Sequence, residues 1–272
     1  MRLETPPGEK SRVRDIIFYT YCSLVLVFMI MPNFVVFPIS FSSATYLEFP
    51  PQEWSMRWYV DYFSREEWVD ATIHSFEVGI CVTIIAVVLG SLAAYGLVRG
   101  RFPGKKFINS VIISPMVAPI LVTAVAIFIL FTRLKLNGSL AGFVVAHTIV
   151  ATPFVVIVMT ASLRGVDIEL EQAAMNLGAN RFTTLRRVVF PMALPGMISS
   201  GLFAFLISFD ELIIAIFIAS PRMSTLPKIL WEGIRTEINP TIASVSTLLI
   251  GMSAIILVSV GLVRRYFERR NQ

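Results

Sequence analysis

Six apolar runs, each long enough to cross a lipid bilayer, limit this chain more than any other feature of its sequence. They lie at about 16–39, 71–98, 108–131, 140–162, 193–219 and 241–263. About 20 helical residues, rising about 1.5 Å each, cross a hydrocarbon core of roughly 30 Å. In hydrocarbon a backbone N–H or C=O finds no water, and a lone segment satisfies all of them only as an α-helix. The runs therefore predict an all-α membrane protein with six transmembrane helices over 16–263. Short polar ends, 1–15 and 264–272, flank them. A water-soluble domain is excluded by composition, since 56% of residues are hydrophobic and only 15% charged. The first run is long for the core of a signal peptide and shows no small-residue cleavage site, so it reads as a retained span.

The net charge of +5 does not point to nucleic acid, because the basic residues gather at the ends of apolar runs and form no single patch. Lipid is the expected environment. If the runs are spans, 16 of the 23 Lys and Arg fall on one side. That side carries both termini, the loop after the second run (Arg99, Arg101, Lys105, Lys106) and the loop after the fourth (Arg164, Arg181, Arg186, Arg187). Positive charge marks the cytoplasmic face. Both termini and the loop 164–191 are therefore expected in the cytoplasm.

Within that loop, Glu169 to Pro191 reads ELEQAAMNLGANRFTTLRRVVFP. Leu170, Ala173, Ala174 and Leu177 share one face of a helix. Asp167 sits at the N-cap position, and Glu169 and Glu171 follow in the first turn, where the helix dipole favours anions. Gly178 lets the chain turn out of the helix. Asn180 is placed to cap a second short helix with Phe182, Leu185 and Val189 on one side, and Pro191 starts the next run. About ten residues of helix are too short to cross a bilayer, so the apolar face needs a partner to pack on.

This stretch resembles the cytoplasmic loop of ABC importer permeases, written EAA-x3-G-x9-I-x-L-P. Here the slots hold Gln172, Ala173 and Ala174, then Gly178, Val188, Phe190 and Pro191. Gln replaces Glu, Val replaces Ile and Phe replaces Leu, while the spacing is intact. The resemblance implies the type I importer permease fold, with a coupling helix seated in a groove of an ATP-hydrolysing subunit. It implies coupling roles for Glu171, Gln172, Ala173, Ala174, Gly178, Arg181 and Pro191. It also implies partners: two ATPase subunits holding ATP and Mg, a periplasmic binding protein and a second permease chain, usually different but related. The chain itself would be a multi-pass protein of the bacterial inner membrane, with no cofactor and no catalysis of its own.

Asp210 and Glu211 lie in SFDELIIAIF, inside the fifth run. A carboxylate at the bilayer centre costs about 2.5–3.5 kcal/mol on insertion scales, so it needs a wet cavity or a partner. Successive helix residues point about 100° apart. One carboxylate is therefore expected to line a pathway and the other to bond within the bundle; bonding of both within the bundle is the alternative. The segment resembles the spermidine/putrescine branch of the permeases, with Glu211 in place of a second Asp. FPPQEWSMRWYVDYF and AAYGLVRGRFPGKK resemble the outer loop and second-span end of the same branch. That resemblance implies a small organic cation, most simply a polyamine, and carboxylates suit it. Importers of γ-aminobutyrate, opines and aminophosphonates share the branch. The rival of another class, a secondary transporter working without an ATPase, calls for inverted repeats, and none is visible.

Pro115 and Pro119 predict a kink or break in the third run, and Pro153 a bend in the fourth. Gly90 and Ala94 are spaced for close helix contact. His74 and Glu77, one turn apart, are placed to meet substrate or headgroups, and His147 reads as a hydrogen-bonded core histidine. Cys22 and Cys81 lie in separate runs, and no metal-ligand spacing occurs. Gly100 to Lys106 imitates a phosphate loop, but it is a residue short and follows no strand. Tyr46, Trp54, Trp58, Tyr59 and Trp231 are expected to be exposed on the outer side. Segments 46–62 and 231–239 are thus candidates for receiving a binding protein.

Overall fold

The computed structural model describes residues 9–236 and 239–270. Part of the expected N-terminal stretch, 1–8, and residues 237, 238, 271 and 272 lie outside the described residues. The chain forms α1 (Glu9–Ile39), α2 (Arg57–Ser64), α3 (Glu66–Arg99), α4 (Lys105–Val117), α5 (Ile120–Leu134), α6 (Leu140–Arg164), α7 (Ile168–Asn176) and α8 (Arg181–Thr184). A π turn, Leu185–Val189, leads into α9 (Phe190–Phe209), followed by α10 (Ile213–Ile218), α11 (Leu226–Thr236) and α12 (Thr241–Arg270). The chain divides into two compact units, Met1–Ser64 with Thr236–Ala254, and Arg65–Arg235 with Ile255–Gln272.

In the second unit α3, α6 and α9 pack on one another. Mostly small and β-branched residues face inward, Val78, Val82 and Ala94 on α3, Ala151 and Val155 on α6, Ala193 and Ala204 on α9, with the longer Met159 of α6 among them. Small residues let helix backbones approach. The approach is tight at Gly90, where a Cβ would lie 2.6 Å from Val155 Cγ1. Gly90 thus lies on a close contact of the kind its spacing with Ala94 predicted, and Ala94 is buried one turn further along.

Among the described residues four helices are long and apolar enough to cross a bilayer: Arg14–Ile39, Glu66–Arg99, Leu140–Arg164 and Arg181–Phe209. There are five if α4 and α5 form one span, although they are bent by 101°. The break is at Ala118 and Pro119, as the prolines predicted. Ala118 is extended because the residue before a proline is pushed out of the helical region. The six expected spans are not all established. The last, α12, is apolar over Thr241–Ile256, which is short for a crossing, and the side chains of most residues after it are not described. Pro153 does not end α6, which runs on past it to Arg164.

Two expectations for the fifth run are corrected. Its helix does not start at 193: the second short helix, α8, is present behind its Asn180 cap but runs on through the π turn into α9, so the apolar helix reaches back to Arg181. Pro191 has no N–H to donate to the preceding turn, and the π turn just before it absorbs that loss, with Phe190 N–H bonded to the Leu185 carbonyl. Nor is the run continuous to 219: α9 ends at Phe209 and α10 begins at Ile213, so Asp210 and Glu211 sit in a break.

The first unit corrects the outer-loop reading. Trp58 is 5% exposed, and its indole N–H donates to the Ala44 carbonyl at 3.1 Å. Tyr59 is half-buried, its hydroxyl 2.8 Å from Ser40 Oγ. Thr241 Oγ1 donates to the Asp61 carboxylate at 2.6 Å, tying the start of α12 to α2. Tyr46 and Trp54 are exposed, as is Trp231 in the other unit. The apolar window of α1 buries none of its residues.

The α3–α6 contact can be tested directly. Val155 is β-branched and stiff in a helix, so it cannot make room for a methyl at position 90. Gly90→Ala should cost about 1–3 kcal/mol by overpacking. Gly96→Ala, where no atom lies within 4 Å of the new Cβ, should cost nothing. Thermal unfolding of the two variants in detergent makes the comparison.

Candidate coupling surface and carboxylate break

The loop after α6 folds as its polar residues dictate. Asp167 is the N-cap of α7, accepting from Glu169 N–H at 2.9 Å. Gly178, at φ +91°, makes the turn out of the helix in the left-handed region that glycine enters without strain. Asn180 then caps α8, accepting from Thr183 N–H at 2.8 Å.

Between these caps α7 is inside out. Its charged Glu171 is only 4% exposed, while Leu177 is 89% and Leu170 43% exposed. Glu171 points at the end of α3. Arg99 Nε donates to its Oε1 at 2.7 Å and the Tyr95 hydroxyl to its Oε2 at 3.1 Å. The other end of the Arg99 guanidinium donates to the Val166 carbonyl, just before the cap. Removing one member of a buried, hydrogen-bonded pair strands the other charge at about 3–5 kcal/mol. The pair therefore fixes which face of α7 looks inward. A cleft of about 600 Å³ opens beside it, with Arg101, Gln172, Arg181 and Phe182 on its walls.

Of the residues expected to couple, Gln172, Ala173, Gly178, Arg181 and Pro191 are exposed and Ala174 is half-buried. Glu171 is turned away from that surface into its own chain. Nothing lies within 4 Å of a Cβ built on Gly178, so its backbone geometry, not crowding within this chain, calls for glycine.

The second cluster lies at the break between α9 and α10. Glu211 Oε1 accepts from Ile214 N–H at 3.0 Å, so this carboxylate caps the start of α10. Asp210 is exposed, and while its N–H closes the end of α9 on the Leu206 carbonyl at 3.0 Å, its carboxylate has no hydrogen-bond or ion-pair partner among the described residues. Behind the break, buried His147 on α6 presents Nδ1 at 3.1 Å from both the carbonyl and the hydroxyl oxygen of Ser208. Phe209 lies 5.4 Å from Phe205 and 5.3 Å from Phe76 of α3, ring centre to ring centre, an aromatic cluster that runs up to the carboxylates. Glu77 is exposed, and His74 is 3.3 Å from the Ser224 carbonyl.

Sequence reasoning missed Arg99 and Tyr95, because a basic residue at the end of a span reads only as a topology signal. It also missed Phe76, Phe205 and Phe209. The i, i+4 spacing of the last two was a visible hint of a shared face.

These features define a helical membrane protein carrying a short helix with its apolar residues outward and, at the break after α9, a carboxylate unpaired among the described residues. Residues 86–272 match the family described as "Binding-protein-dependent transport system inner membrane component". The chain belongs to that family: it is a permease component of an ABC transporter, not the ATPase. It is 25% identical over 245 residues to the spermidine/putrescine transport system permease protein PotC of Escherichia coli K12, covering 90% of this chain and 92% of that one. It is 33% identical over 210 residues to the putrescine transport system permease protein PotI of the same organism, covering 75% of each. Among solved structures it resembles a chain of a bacterial ABC transporter for alginate import. The TM-score is 0.72 at 17% identity, covering 97% of this chain and 100% of that chain, and it is a likeness of fold.

The caps of α7 generate a local test. Asp167→Ala should cost about 0.5–2 kcal/mol of helix stability. Amide hydrogen exchange over 168–176 should quicken accordingly, while exchange in α6 stays unchanged.

Proposed function

We propose that this chain forms half of the translocation pathway of an ATP-driven importer for a small organic cation, a polyamine of the spermidine/putrescine kind. The observation that carries the coupling part is the reversed α7, with its apolar residues outward and its carboxylate locked inward. A surface helix left to water would be oriented the other way. The groove of an ATPase subunit is the natural cover for Leu170, Ala173 and Leu177. ATP binding then moves α7, and with it the spans. In this reading two ATPases, a periplasmic binding protein and a second, related permease chain complete the transporter. The apolar window of α1, unburied in its own chain, is available to that second chain or to lipid. The arrangement has six spans with both termini in the cytoplasm.

The cation assignment rests on Asp210. Glu211 is occupied at the start of α10, whereas Asp210 offers an unshared negative charge at a broken span, the kind of place where transporters hold substrates. The relatives named for spermidine and putrescine support the same choice.

Two tests separate the parts. Ala173→Asp and Gly178→Asp should leave the protein in the membrane but abolish ATPase co-purification and uptake; persistence of both at wild-type levels would reject the coupling assignment. Asp210→Asn should assemble normally and lower putrescine and spermidine uptake roughly tenfold, equivalent to about 1.4 kcal/mol. Glu211→Gln keeps an acceptor for Ile214 and should do less. If both variants import at the wild-type rate at matched protein level, the charge is not needed and the cation reading fails.

A further inference from the structure

We infer that Arg99 and Tyr95 are positioning residues that make α3 move with the coupling helix. The chain itself joins α7 to α6 through Gly165–Asp167 and to α9 through the capped turn and α8. No such route leads to α3, whose end is separated from α7 and α8 by the cleft described above. The carboxylate of Glu171 bridges that gap. Both of its oxygens are engaged, one by Arg99 at 2.7 Å and one by Tyr95 at 3.1 Å. Arg99 holds a second point on the same loop, the Val166 carbonyl. Charge-assisted hydrogen bonds with this little exposure are short and directional, and the two anchor points resist rotation as well as separation.

What the latch moves is specified by packing. The helix α3 is unbroken from Glu66 to Arg99 and carries Phe76 against Phe205 and Phe209, beside the carboxylate break. From Arg99 to Phe76 is roughly 35 Å along one rigid helix, at about 1.5 Å per residue. A displacement of α7 therefore reaches the flank of Asp210 through α3, in addition to the covalent route through α9. This rests on the reading of α7 as the coupling helix.

Hydrogen–deuterium exchange of the whole reconstituted transporter, with and without trapping of its ATPases by ATP and vanadate, tests the inference. In the wild type, trapping should alter exchange both in α7 and over 95–99. In Arg99→Lys, which keeps a cation for Glu171 and so the facing of α7 but cannot also hold the Val166 carbonyl, the response of α7 should remain and that of 95–99 should fall roughly tenfold, within the usual span of coupling between sites. Tyr95→Phe, which removes a single donor, should lower it less, again with α7 responding as in the wild type. If α3 still follows α7 in Arg99→Lys, the latch is wrong while the coupling reading stands. If trapping changes neither α7 nor α3 in the wild type, the coupling reading falls and the latch with it.

Discussion

A backbone amide or carbonyl inside a bilayer has no water to turn to, and the architecture follows from how each interrupted helix answers that. Unbroken helices answer it internally. Each break must borrow. The Ser208 carbonyl, near the end of α9, faces His147 of α6. The first turn of α10 is capped by Glu211, and its end is met by Gly138 N–H bonding the Ile218 carbonyl at 2.7 Å. The start of α11 borrows from α3, where Ser75 Oγ accepts from Leu226 N–H at 2.8 Å. The interrupted run after α9 is thus held by its own Glu211, by the backbone of Gly138 and by side chains of α6 and α3. Those two helices are the ones that meet at Gly90 and Val155.

The same accounting explains the end of α3 that meets α7. An arginine and a glutamate are costly to bury, and such a pair seldom adds stability over apolar residues of the same shape. What it does supply is direction. With Glu171 committed to Arg99 and Tyr95, α7 cannot roll its apolar face onto its own protein, and Leu170 and Leu177 stay outward. The chain pays for an exposed apolar surface that hydrophobic burial would otherwise remove. Such a cost makes sense on a surface meant to be covered.

The long spans were legible because length and hydropathy leave a single helix few alternatives. The α4–α5 break was legible because proline states its reason in the sequence. The break at 210–212 contains neither proline nor glycine. It depends on His147 and on the Glu211 carboxylate, and both partnerships exist only once α6, α9 and α10 have assembled. Only the expense of two mid-span charges marked the place. The caps, Asp167 on α7 and Asn180 on α8, were readable because capping is local. The direction of Glu171 was not, because periodicity orients an apolar face inward and the overriding partner is 72 residues away. Trp58 was read as exposed from its place in an outer loop, yet its indole N–H found the Ala44 carbonyl and the ring went inside.

Two adjacent carboxylates in one span would repel each other if both remained unpaired in a low-dielectric site. The break resolves this by giving them different surroundings. Glu211 bends back to the N–H of Ile214, where the partial positive charge of a helix start stabilises it. Its charge is then largely answered by the backbone. Asp210, one residue earlier at the end of α9, meets the opposite pole: the last carbonyls of that helix carry partial negative charge. They would favour a cation placed beside it. The same geometry that satisfies one carboxylate thus leaves the other, together with the helix end behind it, as an unanswered negative site.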